Sequence, residues 1–125
     1  MKIIHLELDT ALEAIERHLS WTNTKTAYLN KSNLQFILEA TKTRFNSDKK
    51  PIQKKASFML TQIVKSHPLA DGNKRTAIIL TDTFVGINGA KIIATDDEIF
   101  EKVTSFAAGN ITENDIRKWL EENIR

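Results

Sequence analysis

The chain has 125 residues, of which 41% are hydrophobic and 27% are charged, and its formal net charge is +2. These values are close to the averages of soluble globular proteins, so they exclude a disordered chain and do not suggest a membrane span. Lys and Arg are interleaved with Asp and Glu, which argues against the clustered positive surface of a nucleic-acid-binding protein. The absence of cysteine excludes disulfides and thiolate metal sites. We therefore expect a cytoplasmic protein that binds neither membranes nor, directly, nucleic acid.

Helical patterns begin near the N-terminus. Apolar residues recur at helical spacing, and several Thr or Ser residues are followed three positions later by an acid or amide, which marks helix starts as capping boxes. These pairs are Thr10 with Glu13, Ser32 with Gln35, Thr95 with Glu98 and Thr112 with Asp115. The first helix is predicted over residues 10–20, and the second runs from residue 32 into the polar loop NSDKKP.

The third and fourth helices flank the most polar stretch of the chain. Pro51 suits the first turn of the third helix, which should end near Ser66 because Pro68 disfavours helical geometry at His67. The fourth helix is predicted over NKRTAIILTDTFVGING, where its final Asn-Gly supplies the stop. It is apolar around much of its girth, so we expect it to be the central, most buried helix.

Two further helices complete the chain. They are predicted over residues 95–108 and 113–123. The run AKIIAT, residues 90–95, is the only β-branched stretch between turns, and it is too short to anchor a sheet. No repeat, low-complexity tract or linker interrupts the sequence. We therefore predict an all-α, compact six-helix bundle in a single domain that spans residues 1–125.

The stretch HPLADGNKR, residues 67–75, concentrates polar chemistry between two apolar helices. Gly72, Asn73, Lys74 and Arg75 fall at or just before the first turn of the fourth helix, where unpaired backbone amides form an anion site. Gly72 lets the backbone approach a phosphate closely, and the two cations add charge, with the guanidinium fork suited to phosphate oxygens. A polyphosphate is therefore the expected ligand.

Asp71 and His67 add the remaining parts of a phosphoryl-transfer site. Asp71 would repel a bare phosphate, so it predicts a bridging cation, and Mg²⁺ fits because it takes one or two carboxylates together with phosphate oxygens. Histidine has an ordinary pKa of about 6.5, which allows His67 to accept a proton from an attacking hydroxyl. Each residue alone has a simpler structural explanation, but cations at a helix N-terminus are electrostatically unfavourable without an anion. His5 and His18 lack this context, and we expect them at the surface or at a helix edge.

HPLADGNKR resembles the signature of the Fic/Doc family, His-x-Phe-x-Asp/Glu-Gly-Asn-Gly/Lys-Arg. The following Thr76 and Ala77 are similar to the Doc (death-on-curing) branch, as are the all-helical order, GING after the motif and AAGNIT before the last helix. The resemblance implies that His67 is catalytic, that Asp71 binds the magnesium ion, and that residues 72–75 cradle the phosphates of a nucleotide.

The residue at position 74 bears on the reaction that this resemblance implies. Most Fic enzymes transfer AMP from ATP to a hydroxyl side chain and carry Gly where this chain has Lys74. Doc-type members have Lys there and resemble kinases that move the terminal phosphate of ATP onto a threonine of the translation elongation factor Tu. The resemblance thus implies a toxin that uses Mg²⁺ and ATP to block translation, paired with an antitoxin that has a helical C-terminal segment. Two alternatives stay open: AMP transfer to a protein hydroxyl, and a catalytically degenerate helical binding module.

Three departures qualify the resemblance. Leu69 replaces the usual Phe at a core-anchoring position, where an aliphatic side chain can substitute with some loss of packing. Ile79 lies where some Doc members carry a polar residue near the nucleotide, which predicts altered or weaker nucleotide binding. The loop over residues 46–50, where a target-docking flap is expected, is too short for a long hairpin.

Overall fold

The computed structural model describes residues 2–21, 31–66 and 73–125, apart from the side chains of residues 19–21 and 73. These ranges contain helices and no strand. The helices are α1 (Leu8–Trp21), α2 (Lys31–Thr43), α3 (Pro51–Lys65), α4 (Asn73–Ile87), α5 (Asp96–Ala107) and α6 (Glu113–Asn123). The predicted all-α, six-helix class is therefore confirmed, while the extent of the domain, residues 1–125, stays a prediction.

Helix α4 lies at the centre of the bundle and packs against α1, α3 and α5. Its apolar residues Ala77, Leu80, Phe84 and Val85 are completely buried, as the pattern of its sequence predicts. Helix α3 shares the centre, because it packs against α2, α4, α5 and α6. The stripe predicted for α3 is buried throughout: Ile52, Ala56, Met59, Leu60 and Ile63. Burial of apolar side chains on both helices therefore fixes the scaffold on either side of the motif.

Helix α3 also buries a cation, Lys55, whose exposed fraction is 0%. Its ammonium donates to the carbonyl oxygen of Thr41 at 2.6 Å and to that of Lys42 at 3.4 Å. Both carbonyls belong to the last turn of α2, where they have no partner within the helix and where the helix dipole favours a positive charge. Burial lowers the pKa of Lys55 from its ordinary value. Lys55 thus caps α2 from the neighbouring helix.

The capping boxes predicted at the starts of the last two helices are confirmed. The hydroxyl of Thr95 accepts from the amide of Glu98 at 3.2 Å, and the Glu98 carboxylate accepts from the Thr95 amide at 3.1 Å. Thr112 and Asp115 make the same pair of bonds at the start of α6, at 3.1 and 2.8 Å. Hydrogen bonds from the threonine amides lower the pKa of both carboxyl groups. Local side-chain chemistry therefore sets both helix starts.

The predicted starts of the first two helices are wrong. Helix α1 begins before residue 10 and α2 before residue 32, so Thr10 and Ser32 lie inside the first turns of their helices. In α1 the amide of Ala11 already donates to the carbonyl oxygen of Glu7 at 3.0 Å. Burial of Leu6 fixes the segment that enters α1. Helical hydrogen bonding therefore begins at the carbonyl of the next residue, Glu7, and not at Thr10.

The run AKIIAT forms an isolated antiparallel bridge between Ile92 and Ile124. Lys91 and Arg125 exchange two backbone hydrogen bonds, both at 2.9 Å. This bridge ties the segment between α4 and α5 to the C-terminal residues. The sequence run is thus extended, as expected, but too short to form a sheet.

Asn88 fastens the N-terminal segment to the end of α4. Its side-chain oxygen accepts from the Ile4 amide at 2.8 Å, and its side-chain nitrogen donates to the Ile4 carbonyl at 2.8 Å and to the Phe84 carbonyl at 2.9 Å. Gly89 follows with a φ of 78°, the left-handed conformation predicted for the stop of this helix.

Replacing Asn88 with alanine should lower the free energy of unfolding by about 1–3 kcal/mol, because three hydrogen bonds are lost and each contributes about 0.5–1.5 kcal/mol. Urea denaturation measures this change. The matched control is Asn46→Ala, which removes a single bond to the Lys42 carbonyl at 3.0 Å and should therefore have a smaller effect. Equal losses in the two variants would contradict the role given to Asn88.

The two histidines expected at the surface or at a helix edge differ in burial: His5 is half-buried in the segment before α1, and His18 is exposed in the last turn of α1. The His5 ring lies 6.2 Å from the Phe84 ring, and among the described residues its Nε2 has no hydrogen-bond partner. Burial, followed by the positive charges of Lys55 and Lys42, lowers the pKa of His5, while Glu7 acts in the opposite direction. The folded chain therefore favours neutral His5.

Because the pKa of His5 is lower in the folded chain than its ordinary value of 6.5, the unfolded chain binds more protons just below that pH. The free energy of unfolding should therefore fall as the pH drops from 6.5 towards the folded-state pKa. The variant His5→Phe keeps a ring beside Phe84 but cannot take a proton, so it should lack this part of the decline. Urea denaturation at a series of pH values measures both slopes, and identical slopes would contradict the account.

Candidate functional site

The predicted motif lies between the end of α3 and the start of α4. Residues 67–72, which include His67, Asp71 and Gly72, lie outside the described residues. Helix α4 begins at Asn73, so Lys74 and Arg75 occupy its first turn. The expected start of the fourth helix at the Asn-Lys-Arg run is thus observed, while the roles assigned to the site residues stay predictions.

The two helix ends that bracket the motif are anchored in the core. Ile63 and Val64 near the end of α3 are buried, and so are Thr76 and Ala77 near the start of α4. At the end of α3, the Ser66 amide donates to the Gln62 carbonyl oxygen at 3.0 Å, and the Ser66 hydroxyl donates to the Ile63 carbonyl oxygen at 2.9 Å. A short polar segment therefore joins two rigid ends, which is the arrangement that a precise ligand site needs.

The first turn of α4 carries two cations. It contains no acidic residue and carries Lys74, which is half-buried, and Arg75, which is exposed. In α5 and α6 the first turns are acidic, in agreement with the helix dipole: Asp96, Asp97 and Glu98 in α5, and Glu113 and Asp115 in α6. Helices α2 and α3 also have a lysine and no acid in the first turn, and α4 differs from them in carrying two adjacent cations beside its first amides. An anion at this position would relieve the repulsion.

The donor set near α4 bears on the predicted magnesium ion. The part of the chain that the structure describes contains no group of three or more His, Cys, Asp or Glu that could hold a metal ion. The ligands predicted for a cation at the motif are Asp71, phosphate oxygens and water. This combination fits Mg²⁺, which keeps several waters and needs only one or two carboxylates beside a nucleotide.

A pocket of about 330 Å³ opens between α2 and α3, beside the end of α3. It has apolar and polar lining residues, which are Asn33, Phe36, Ile37, Phe58, Gln62, Lys65 and Ser66. Phe36 is 73% exposed. The sequence analysis did not single out this pocket, although one signal was present: Phe36 is an aromatic residue on the otherwise polar face of α2.

Two of the three departures from the family pattern, Ile79 and the loop over residues 46–50, lie in the described chain. Ile79 is half-buried on α4, and its carbonyl accepts from the hydroxyl of Thr83 at 2.7 Å. Residues 44–50 form turns and bends and no hairpin, as their length predicts. Within this loop Phe45 has a φ of 64° and packs edge-on against Phe58, with ring centroids 6.4 Å apart. Leu69 lies outside the described residues.

Lys74 and Phe100 form a pair that the sequence did not predict. The Lys74 Nζ lies 5.8 Å from the centroid of the Phe100 ring, which α5 presents beside the start of α4. Phe100 is 47% exposed. No sequence pattern links the two residues, because their contact depends on how α5 packs against α4.

Comparison with known proteins assigns the class. The family model described as "Fic/DOC family" matches residues 4–85, which include the motif and nearly all of α4. The match covers more than half of the chain, so the chain belongs to the Fic/DOC family.

One curated protein is similar to part of the chain. The chain is 44% identical over 43 residues to the protein named Toxin Doc from Mycolicibacterium smegmatis, and this match covers 34% of the chain and 33% of that protein. The chain thus spans about a third of the length of this relative in the match. No solved structure matches the chain. Among the described helices, none has the length and apolar character needed to cross a membrane.

Proposed function

We propose that this chain is a Doc-like toxin that transfers the terminal phosphate of Mg-ATP to a hydroxyl side chain of a protein, with elongation factor Tu as the target. The observation that carries the proposal is the first turn of α4, which holds two cations and no acid and follows the family motif. Membership of the Fic/DOC family and the likeness to a protein named Toxin Doc support the same assignment.

Phosphate binding is assigned to the start of α4. The backbone amides of residues 72–75 face the phosphates, as the free amides of helix N-termini do in other anion sites. Lys74 and Arg75 neutralise the charge that these oxygens carry. Asp71 would hold the magnesium ion, which would offset the negative charge of the phosphate oxygens. Because the ends of α3 and α4 are anchored in the core, they hold these groups in fixed positions.

Proton transfer is assigned to His67. Its imidazole takes the proton of the attacking hydroxyl, whose oxygen forms a bond to the terminal phosphorus as the bond from that phosphorus to the bridging oxygen of ADP breaks. The products are a phosphorylated side chain and ADP. Most of the catalysis then comes from positioning and charge neutralisation, as in other phosphoryl transfers.

Lys74 favours transfer of the terminal phosphate over transfer of AMP. Its side chain occupies space that a glycine leaves open for an α-phosphate and its sugar, and its ammonium supplies charge suited to a terminal phosphate. Lys74 is half-buried, and a lysine in such a position can bury its stem and keep its charge available.

An antitoxin with a helical C-terminal segment is part of the proposal. A toxin that modifies elongation factor Tu acts in the cytoplasm and needs a partner that restrains it in the cell that makes it. A short neighbouring reading frame whose product ends in a helical segment would support this pairing.

The mass of elongation factor Tu after incubation with the chain and Mg-ATP tests the proposal. The expected gain is about 80 Da for one phosphate, against about 329 Da for AMP. A gain of the larger size would replace phosphorylation by AMP transfer. An unchanged mass, together with no magnesium-dependent affinity for ATP, would leave only the helical binding module.

A further inference from the structure

Lys74 and Phe100 meet where α5 packs against α4. The Lys74 Nζ lies 5.8 Å from the centroid of the Phe100 ring, within the distance of about 6 Å at which an ammonium and an aromatic face attract each other. The described ion pairs do not include Lys74. Within the described chain, the negative face of this ring is thus an electrostatic partner of the Lys74 ammonium.

Core packing does not account for Phe100. The buried face of α5 consists of Ile99, Val103 and Phe106, whereas Phe100 is 47% exposed. An exposed aromatic ring adds little apolar burial, so its position beside a charged residue is the more informative feature. The ring also offsets part of the repulsion that Lys74 meets in the positive first turn of α4.

We propose that Phe100 is a positioning residue that holds the Lys74 ammonium over its ring and so raises the affinity of the site for the phosphates of Mg-ATP. This inference rests on the proposed function. A lysine side chain loses conformational entropy when it is fixed on a ligand, and a lysine that the ring already restrains loses less. An ammonium has three N–H donors, so it can face the ring and a phosphate oxygen at once.

The test compares two replacements of Phe100 by calorimetry. Phe100→Leu keeps an apolar side chain without an aromatic face and should weaken Mg-ATP binding about two- to fivefold. Phe100→Trp restores the aromatic face and should bind Mg-ATP at least as tightly as the unaltered chain. In steady-state assays Phe100→Leu should raise the KM for ATP and leave kcat unchanged.

Two further variants show that Phe100 acts through Lys74. In a Lys74→Met background, Phe100→Leu should cause no additional loss of affinity. The matched control is Ile93→Ala, because Ile93 is also 47% exposed but lies in the segment that bonds to the C-terminal residues, where its amide donates to the Asn123 carbonyl at 2.7 Å. This control should bind Mg-ATP like the unaltered chain.

The outcomes separate this inference from the function on which it rests. If the unaltered chain binds Mg-ATP and Phe100→Leu binds it equally well, the positioning role is overturned and the proposed function stands. If the loss in Phe100→Leu persists in the Lys74→Met background, the ring acts on the ligand directly and the inference is again overturned. If the unaltered chain does not bind Mg-ATP, both the proposed function and this inference are overturned.

Discussion

Replacing His67 with alanine is expected to lower the rate of phosphate transfer by about 10²–10⁴-fold, the usual contribution of a general base. The loss is expected because the proposal assigns the proton of the attacking hydroxyl to the His67 imidazole. Mg-ATP affinity should change little, because the cradle of residues 72–75 and Asp71 remain in place. Initial rates with ATP labelled at the terminal phosphate, together with calorimetry, measure the two effects separately.

His18→Ala is the matched control for the loss of a histidine. His18 is exposed in the last turn of α1, where its Nδ1 lies 3.2 Å from the Ala14 carbonyl oxygen. This variant should transfer phosphate at the normal rate. Full transfer by His67→Ala would show that His67 is not the base. Loss of growth inhibition in cells should follow His67→Ala and Asp71→Ala alike.

Replacing Phe84 with alanine is expected to lower the free energy of unfolding by about 3–5 kcal/mol. Phe84 is completely buried on α4, and its ring lies 6.2 Å from that of His5, so the change leaves a cavity in the centre of the bundle. Such a loss is a large part of the total stability of a typical domain, about 5–15 kcal/mol. Urea denaturation measures it.

Phe36→Ala is the matched control for the loss of a phenyl ring. Phe36 is 73% exposed on α2, so its removal should change the free energy of unfolding by less than about 0.5 kcal/mol. Similar losses in the two variants would contradict the central position given to α4. Phe84→Ala should also reduce toxicity, through loss of folded protein rather than loss of chemistry.

The fold was largely predictable because most of its signals are local. The apolar stripe of α3, the capping pairs at Thr95 and Thr112 and the Asn-Gly stop of α4 each depend on residues within a few positions of one another. The start of α1 was not predictable from Thr10, because the buried segment that precedes the helix sets where helical bonding begins.

The environment of the candidate site was harder to predict from the sequence. The polar motif stands out in the sequence because it combines a histidine, an acid, a glycine and two cations beside a helix start. The contact of Lys74 with Phe100 and the cap that Lys55 places on α2 join residues from different helices. No spacing rule connects such pairs, since only the packing of the bundle brings them together.

The central claim is that a magnesium-bound polyphosphate sits at the N-terminus of α4, and an amide chemical-shift titration of the isotope-labelled chain with Mg-ATP tests it residue by residue. The account predicts that the amides of Gly72, Asn73, Lys74 and Arg75 shift most, and that Asp71→Asn or removal of Mg²⁺ strongly weakens the response. Shifts confined to other parts of the chain, or no shifts at saturating Mg-ATP, would contradict it.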